Sequence, residues 1–516
     1  MNLLKILRSK TFLTILVLVV LSIPSIFSLL KTGFFTTDDG EWMVIRFSAF
    51  HEALRAGQFP VRFLGRLNYG YGYPIANFLY PGFMYLAEPL KIASLGFVSS
   101  VKLVLIFSMI GSLIFTYLWL SRFFKRFESI IGSLFYLYTP YHLYDTYKRG
   151  SVGEILALAI VPFILWQIER KSFVLTSLGI AFLILSHNTL AFLFLPIVLL
   201  YIILRHSRSL ISYLLSLILG FSLSSFFLIP ALLELKYTNF SATKVSDFTQ
   251  YFAGLSLIGT STILVFLLSF FFLLLKKVKG ANKKLMILFL SVGVISLLFS
   301  ISISVPFWKI LPASFIQFPF RLLSIVLLAV SFLVPVTLSV LSNKIKVGLA
   351  AIFLLILIIS SFSFIFPSEF FNKGEGFYST NEGTTTVQDE YMPKWVKQKP
   401  TEHFKEKVEV VSGESSISSL IYNSKKIDFN ISSKTDSIVR INTIYYPGWK
   451  AFVNNQGSSM KYDNQRGLME LNIPKGESLI NLSFSETPLR LFADILSFLS
   501  LLFLIFIKIK FPRFGI

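Results

Sequence analysis

Asp38, Asp39 and Glu41 place three carboxylates within four residues, in the run Thr36-Thr37-Asp38-Asp39-Gly40-Glu41-Trp42. Carboxylates this dense suit two jobs. One is a general base that takes a proton from a hydroxyl. The other is a ligand set for a hard divalent cation such as Mg or Mn. A helix N-cap is the structural alternative, but a cap needs one residue and is worth only ~1 kcal/mol. A second cluster, Tyr144-Asp145-Thr146-Tyr147-Lys148-Arg149-Gly150-Ser151-Val152-Gly153-Glu154, sets two cations beside a carboxylate. Arg149 has the planar fork that binds phosphate bidentately; a Glu154–Arg149 pair tying two helices together is the bland reading. His187, in Ser186-His187-Asn188, can meet a phosphate or a sugar hydroxyl, or be a polar residue in a turn. Gln317 and Arg321, in Phe315-Ile316-Gln317-Phe318-Pro319-Phe320-Arg321, bring a further cation, suited to an anionic lipid phosphate or to snorkelling toward headgroups.

The elements that must hold these residues are membrane helices. Of 516 residues 54% are hydrophobic, 56 are Phe, and the mean hydropathy is +0.70, beyond the composition of soluble domains. Runs such as Thr11–Leu30, Val101–Leu120 and Leu210–Pro230 are long enough to cross ~30 Å of hydrocarbon, and there the backbone must satisfy its own hydrogen bonds. Twelve spans are predicted: 12–30, 98–120, 128–141, 152–168, 172–187, 189–204, 209–231, 256–275, 285–304, 319–341, 346–366 and 488–509. The first is read as a retained anchor, because Leu-Leu-Lys-Thr-Gly offers no small-x-small cleavage site.

Charge distribution sets the expected topology. The net charge of +21 sits in short connectors: Arg122, Lys125 and Arg126; Arg170 and Lys171; Arg205 and Arg208; Lys276 to Lys284; Lys344 and Lys346; Lys508, Lys510 and Arg513. The positive-inside rule then puts both termini in the cytoplasm of a multi-pass plasma-membrane protein, and scattered connectors argue against nucleic acid as a partner. Asp38, Asp39, Glu41, Lys148, Arg149, Glu154, His187, Gln317 and Arg321 all fall on the opposite, outer face. So does Gly70-Tyr71-Gly72-Tyr73-Pro74-Ile75-Ala76-Asn77-Phe78, whose Tyr73 and Asn77 would line a lipid or sugar groove or sit in an interfacial aromatic belt. Residues 41–56 read as an interfacial amphipathic helix. The expected organisation is a transmembrane domain at 1–366 including the outer loop 31–97, a β-rich outer domain at 367–487, and a last helix with tail at 488–516. Short β-type runs (407–411, 427–431, 437–446, 450–453, 468–473, 478–484) between turn signals predict a small antiparallel sandwich.

Taken in order, Asp38-Asp39-Gly40, Tyr71-Gly72-Tyr73-Pro74 with Asn77-Phe78, Arg149-Gly150 with Glu154, Ser186-His187-Asn188, and Gln317-Phe318-Pro319 with Arg321 resemble the membrane proteins described as 6-pyruvoyl-tetrahydropterin synthase-related. Tyr445-Tyr446-Pro447-Gly448-Trp449-Lys450-Ala451-Phe452 and Ile473-Pro474-Lys475-Gly476 resemble the C-terminal region of YfhO-type proteins. The resemblance implies the GT-C superfamily of glycosyltransferases: a mainly α, polytopic fold with about twelve spans, and transfer from a polyprenyl-phosphate sugar at the outer face. It does not imply pterin chemistry, because the soluble pterin enzyme uses a His-based zinc site and the five histidines here show no His-x-His or His-x-x-x-His pattern. On this reading Asp38 or Asp39 is the base and the candidate ligand of any Mg or Mn. Lys148, Arg149 and Arg321 face the departing phosphate. The β-rich domain binds a glycan or envelope-polymer acceptor, and membrane lipid surrounds the rest. Two other classes stay open. A transporter or lipid flippase would share the span number, although no matching pair of broken helices marks a midplane site. A non-catalytic scaffold for envelope polymers would tolerate Asn at Asp38 and Asp39.

Overall fold

The computed structural model describes residues 10–240, 248–310, 314–383 and 389–510. Lys5, Arg8 and Arg513, and parts of the loops 232–254 and 305–318, lie outside them. Every predicted span coincides with helix. Among the described residues eight stretches are long and apolar enough to cross a membrane: Lys10–Leu30, Phe97–Leu120, Val152–Glu169, Asn188–Leu223, Gly280–Ser300, Pro319–Ser339, Asn343–Ile365 and Pro488–Lys510. Phe173–Ser186 and Thr260–Leu274 are shorter apolar helices.

Where the structure differs, local chemistry explains it. The 36-residue stretch Asn188–Leu223 is two helices, Asn188–His206 and Leu210–Leu223, turned by the 3-10 segment Ser207–Ser209. The predicted span 209–231 breaks at Ser224, whose hydroxyl bonds back to Gly220 O at 3.1 Å. The span 256–275 breaks at Gly259, φ +80°. Arg126–Tyr138 has 13 residues, roughly 20 Å of helix, too little to cross the bilayer alone. It packs instead on the enclosed helix Leu323–Ser339.

The loop-rich end of the bundle is tied down by its own strands. β1 (Phe34–Phe35) pairs antiparallel with β2 (Phe370–Phe371), so the chain leaving the first helix is pinned to the chain leaving Asn343–Ile365. Gly40–Arg55 is helical as predicted, but Met43–Phe50 is buried on every side. It is a core helix of this end and not one lying in lipid. Tyr71 and Tyr73–Gly82 are also buried, which resolves the groove-or-belt question toward enclosure by protein, the condition for irregular backbone at such a site.

Beyond β2 the chain builds two antiparallel sheets. One has the order β4 (Ser415–Tyr422), β5 (Lys426–Ser433), β10 (Gly476–Phe484), β7 (Trp449–Val453), β8 (Gln456–Ser458). The other has the order β3 (Val408–Ser412), β6 (Ser437–Ile444), β9 (Leu468–Ile473). Alternate residues point inward, so Ile427, Phe429 and Ile431 of β5 face Val439 and Ile441 of β6 across one core. The sandwich sits on the loop-rich end: Ile444 N donates to Tyr71 O at 2.8 Å, and Gln58 Nε2 to Ser424 O at 2.8 Å.

Candidate functional site

Main-chain pairing brings the two sequence clusters together. Asp38 N donates to Lys148 O at 3.0 Å, and Asp39 N to Arg149 O at 2.8 Å. The aspartate loop therefore lies along the turn Asp145–Arg149, a π-helical segment ended by left-handed Gly150 at φ +67°. Contact here is tight. A Cβ on Gly150 would come within 2.6 Å of Thr37 Oγ1 and 2.8 Å of Gly40 N.

Neither aspartate serves as the helix cap. Asp39 occupies the N-cap position of Gly40–Arg55 without a side-chain capping bond. Gly40 N instead donates to Thr37 Oγ1 at 2.9 Å. The Asp39 carboxylate faces Arg149, with Oδ2 to Nη2 at 3.7 Å, and Asp38 is exposed. Partial burial, then the charge of Asp39, raises the Asp38 pKa against the pull of Arg149 and Lys148. A raised carboxylate pKa makes a better proton acceptor near neutral pH.

Beneath the loop, Glu154 gathers the cations. It is fully buried in the first turn of Val152–Glu169. Its Oε1 accepts from Arg149 Nη1 at 2.6 Å and from Arg321 Nε at 2.9 Å, and lies 3.6 Å from His187 Nε2. Its Oε2 accepts from the Tyr141 hydroxyl at 3.2 Å. His187 Nδ1 accepts from Leu190 N at 3.3 Å and so caps Asn188–His206, which leaves Nε2 to face the carboxylate. Gln317, at φ +63°, offers Oε1 to Arg321 Nη1 at 3.3 Å, and Ile316 O takes the same nitrogen at 2.6 Å. Phe318 and Phe320 stack at 5.4 Å and flank the Arg149 guanidinium, each centroid 5.3 Å away. The pairing expected as a bland alternative is thus real, and it coexists with the aspartate loop.

Sequence reading missed several members. Asp145 is buried and accepts from Arg149 Nη1 at 2.7 Å. Burial and the neighbouring Glu154 push its carboxyl well up. Arg46, buried two turns along the helix that begins at Gly40, and Glu390, on the chain between β2 and the sandwich, also act on this cluster. Burial, then Asp39, pushes the Glu390 carboxyl up to about 7, while Arg46 and Arg321 oppose. A cation at the centre of an apolar helix face was the signal for Arg46; Glu390 lies in a polar segment that carries no pattern.

Asp38, Asp39, Lys148, Arg149, Glu154, His187, Gln317 and Arg321 therefore share one site. Three expected members do not. Glu41 turns away to Lys373, 2.6 Å from its Nζ. Tyr73 is buried, and its hydroxyl accepts from Tyr391 N at 3.0 Å, which fixes the backbone next to Glu390. Asn77 belongs to a separate buried knot. Its Nδ2 donates to Glu234 Oε2 at 2.7 Å, and Glu234 also takes Arg490 Nη2 at 2.8 Å and the Tyr446 hydroxyl at 3.1 Å. That knot joins the last helix, the sandwich and the loop-rich end. Among the described residues no three His, Asp or Glu side chains converge as a cation's ligands would. Asp38 and Asp39 offer two carboxylates, the number that holds a Mg ion together with waters and a substrate phosphate.

No curated protein matches the chain. Among solved structures, the arabinofuranosyltransferase AftD from mycobacteria aligns at 16% identity over 70% of this chain and 28% of its own, with a TM-score of 0.48. The archaeal oligosaccharyltransferase AglB from Archaeoglobus fulgidus, solved with an inhibitory peptide and a dolichol-phosphate, aligns at 11% identity over 73% of this chain and 57% of its own, with a TM-score of 0.44. The chain thus spans well under two thirds of either protein. Residues 80–366, more than half of the sequence and including Lys148, Arg149, Glu154, His187 and Arg321, match the family model described as 6-pyruvoyl-tetrahydropterin synthase related domain, membrane protein. The chain belongs to that family of membrane proteins.

Proposed function

We propose that this chain is a membrane glycosyltransferase that moves a sugar from a polyprenyl-phosphate donor to a glycan or envelope-polymer acceptor at the outer face of the plasma membrane. One observation carries the reading: the Asp38–Asp39 loop is hydrogen-bonded along Lys148–Arg149, so acidic and basic groups meet at the loop-rich end of a membrane bundle. A lipid-linked donor presents its sugar at that level, because its tail stays in the bilayer. Proton acceptor and phosphate partner are then needed a few ångströms apart.

The roles follow from the contacts. Asp38, exposed and with a raised pKa, takes the proton of the acceptor hydroxyl, and Asp39, held by Arg149, sits beside it. The acceptor oxygen forms its bond to the anomeric carbon as the bond from that carbon to the phosphate oxygen breaks. The electron pair leaves with the lipid phosphate. One displacement inverts the anomeric centre and needs one base. Arg149 and Arg321 are already held by Glu154, so they supply a fixed positive field and no free fork. The side chain of half-buried Lys148 makes no hydrogen bond among the described residues and is the cation that meets the phosphate.

The test is purified protein in lipid with a panel of polyprenyl-phosphate sugars, following release of the lipid phosphate with and without added Mg or Mn. Release supports a transferase. No release from any donor, by protein that is folded and active in cells, would move the function to a transporter, a flippase or a scaffold.

A further inference from the structure

A second concave site lies near the first, on the seam between the Gly40–Arg55 helix, the turn at Asn68 and the chain entering the sandwich. It encloses about 220 Å³ and is lined by Trp42, Asn68, Tyr69, Gly383, Asp389 and Lys399. That is below the ~300–1,000 Å³ of pockets for drug-sized ligands, and suits a single sugar ring or one end of a sugar chain.

Its lining has an unusual build. Asn68, Tyr69 and Asp389 all hold left-handed backbone, at φ +60°, +56° and +53°. Strained non-glycine residues need surrounding structure to hold them. Here Glu382 O takes Asn68 N at 2.9 Å. Asn68 is 1% exposed, yet among the described residues its Nδ2 has no hydrogen-bond partner, a cost a native protein bears where a ligand or water completes the bond. Tyr69 stays 40% exposed. Trp42 lies against Gly383, where a Cβ would come within 2.7 Å of its ring. Asp389 and Lys399 pair at 2.5 Å.

We infer that this cleft binds a carbohydrate, the acceptor end of a glycan, through the Tyr69 and Trp42 rings, the Asn68 amide and the Asp389–Lys399 pair. Aromatic faces cover the C–H face of a sugar ring, while an amide donor, a carboxylate and an ammonium answer its hydroxyls. Trp42 lies one turn from Asp39 on the same helix, and Asp389 adjoins Glu390, which acts on the Asp39 cluster. The word acceptor rests on the transferase reading; sugar binding does not.

The experiment is saturation-transfer NMR of the full chain in lipid nanodiscs with methyl glycosides and disaccharides of glucose, galactose, mannose and N-acetylglucosamine. Wild type binds at least one of them. Tyr69→Ala and Asp389→Asn weaken that binding at least about tenfold, roughly 1.4 kcal/mol. Tyr69→Phe, which keeps the ring, retains binding, and Ile421→Ala, at an exposed position of the edge strand β4, binds as wild type does. No sugar bound by wild type, or equal binding by wild type and Tyr69→Ala, overturns the inference. Lipid-phosphate release together with Tyr69-independent sugar binding sinks the cleft and leaves the transferase. Tyr69-dependent sugar binding without release from any donor upholds the cleft and sinks the transferase.

Discussion

Glu154→Gln isolates the energetics of the cation cluster. Its carboxylate serves two buried guanidiniums, but they do not depend on it equally. Arg149 keeps Asp145 at 2.7 Å when Glu154 is neutralised. Arg321 keeps only neutral acceptors, Ile316 O and Gln317 Oε1. The substitution therefore strands one charge, and the cost is that of one broken buried pair, about 3–5 kcal/mol. Arg321→Gln costs less, because Glu154 retains Arg149 and Tyr141. In the double variant Glu154→Gln/Arg321→Gln the stranded charge is gone, so the two costs fall short of additivity by about 2 kcal/mol, within the range for residues in direct contact. Unfolding in mixed micelles at increasing denaturing-detergent fraction, read by tryptophan fluorescence, gives all four values. Additivity within roughly 0.5 kcal/mol would refute the claim that Glu154 is the carboxylate partner of Arg321.

Gly150→Ala drives a Cβ into Thr37 and Gly40 and displaces the aspartate loop; donor turnover should fall by about 10²-fold, as for a misplaced catalytic geometry, while the spans stay helical by circular dichroism. For Glu390 the folded pKa, about 7, exceeds the unfolded carboxylate value. Its protonated form is thus favoured by the fold, and the associated stability is present at low pH and lost as pH rises from about 4.5 through about 7. The loss is on the order of 3 kcal/mol, and Glu390→Gln should abolish this part of the pH dependence of unfolding measured from pH 4 to 8. Arg490→Gln leaves Glu234 buried with the neutral donors Asn77, Tyr446 and Thr487 and should cost about 3–5 kcal/mol. Tyr446→Phe removes one neutral donor and should cost about 1 kcal/mol; equal effects in the same micelle assay would contradict the charge assignment.

How much was legible follows from what the bilayer makes expensive. Helical spans could be read because hydrocarbon forces long apolar runs into helix, and Lys148, Arg149, Glu154, His187 and Arg321 stood out because charge at a helix end in such a chain needs a partner. Breaks at Ser224 and Gly259 were invisible, since serine and glycine as residue types are also found inside unbroken membrane helices. Ser415–Tyr422 became a strand unseen, because an edge strand with mostly exposed residues carries no alternation. Partner choice was the least legible property. Asn77 and Glu41 sat in motifs beside site residues, yet their counterparts, Glu234 and Lys373, lie far along the chain. Glu390 reaches the site by the same kind of long-range contact, set by how the chain entering the sandwich folds back on Tyr73.

The most direct test of the central claim is the rate of lipid-phosphate release by Asp38→Asn and Asp39→Asn beside wild type, in lipid with the donor that wild type uses. Asp38→Asn should lose about 10²–10⁴-fold, the contribution of a general base, with unfolding unchanged because this exposed side chain makes no capping bond among the described residues. Asp39→Asn, which weakens the 3.7 Å contact to Arg149, should lose less. Wild-type release by Asp38→Asn would contradict the account.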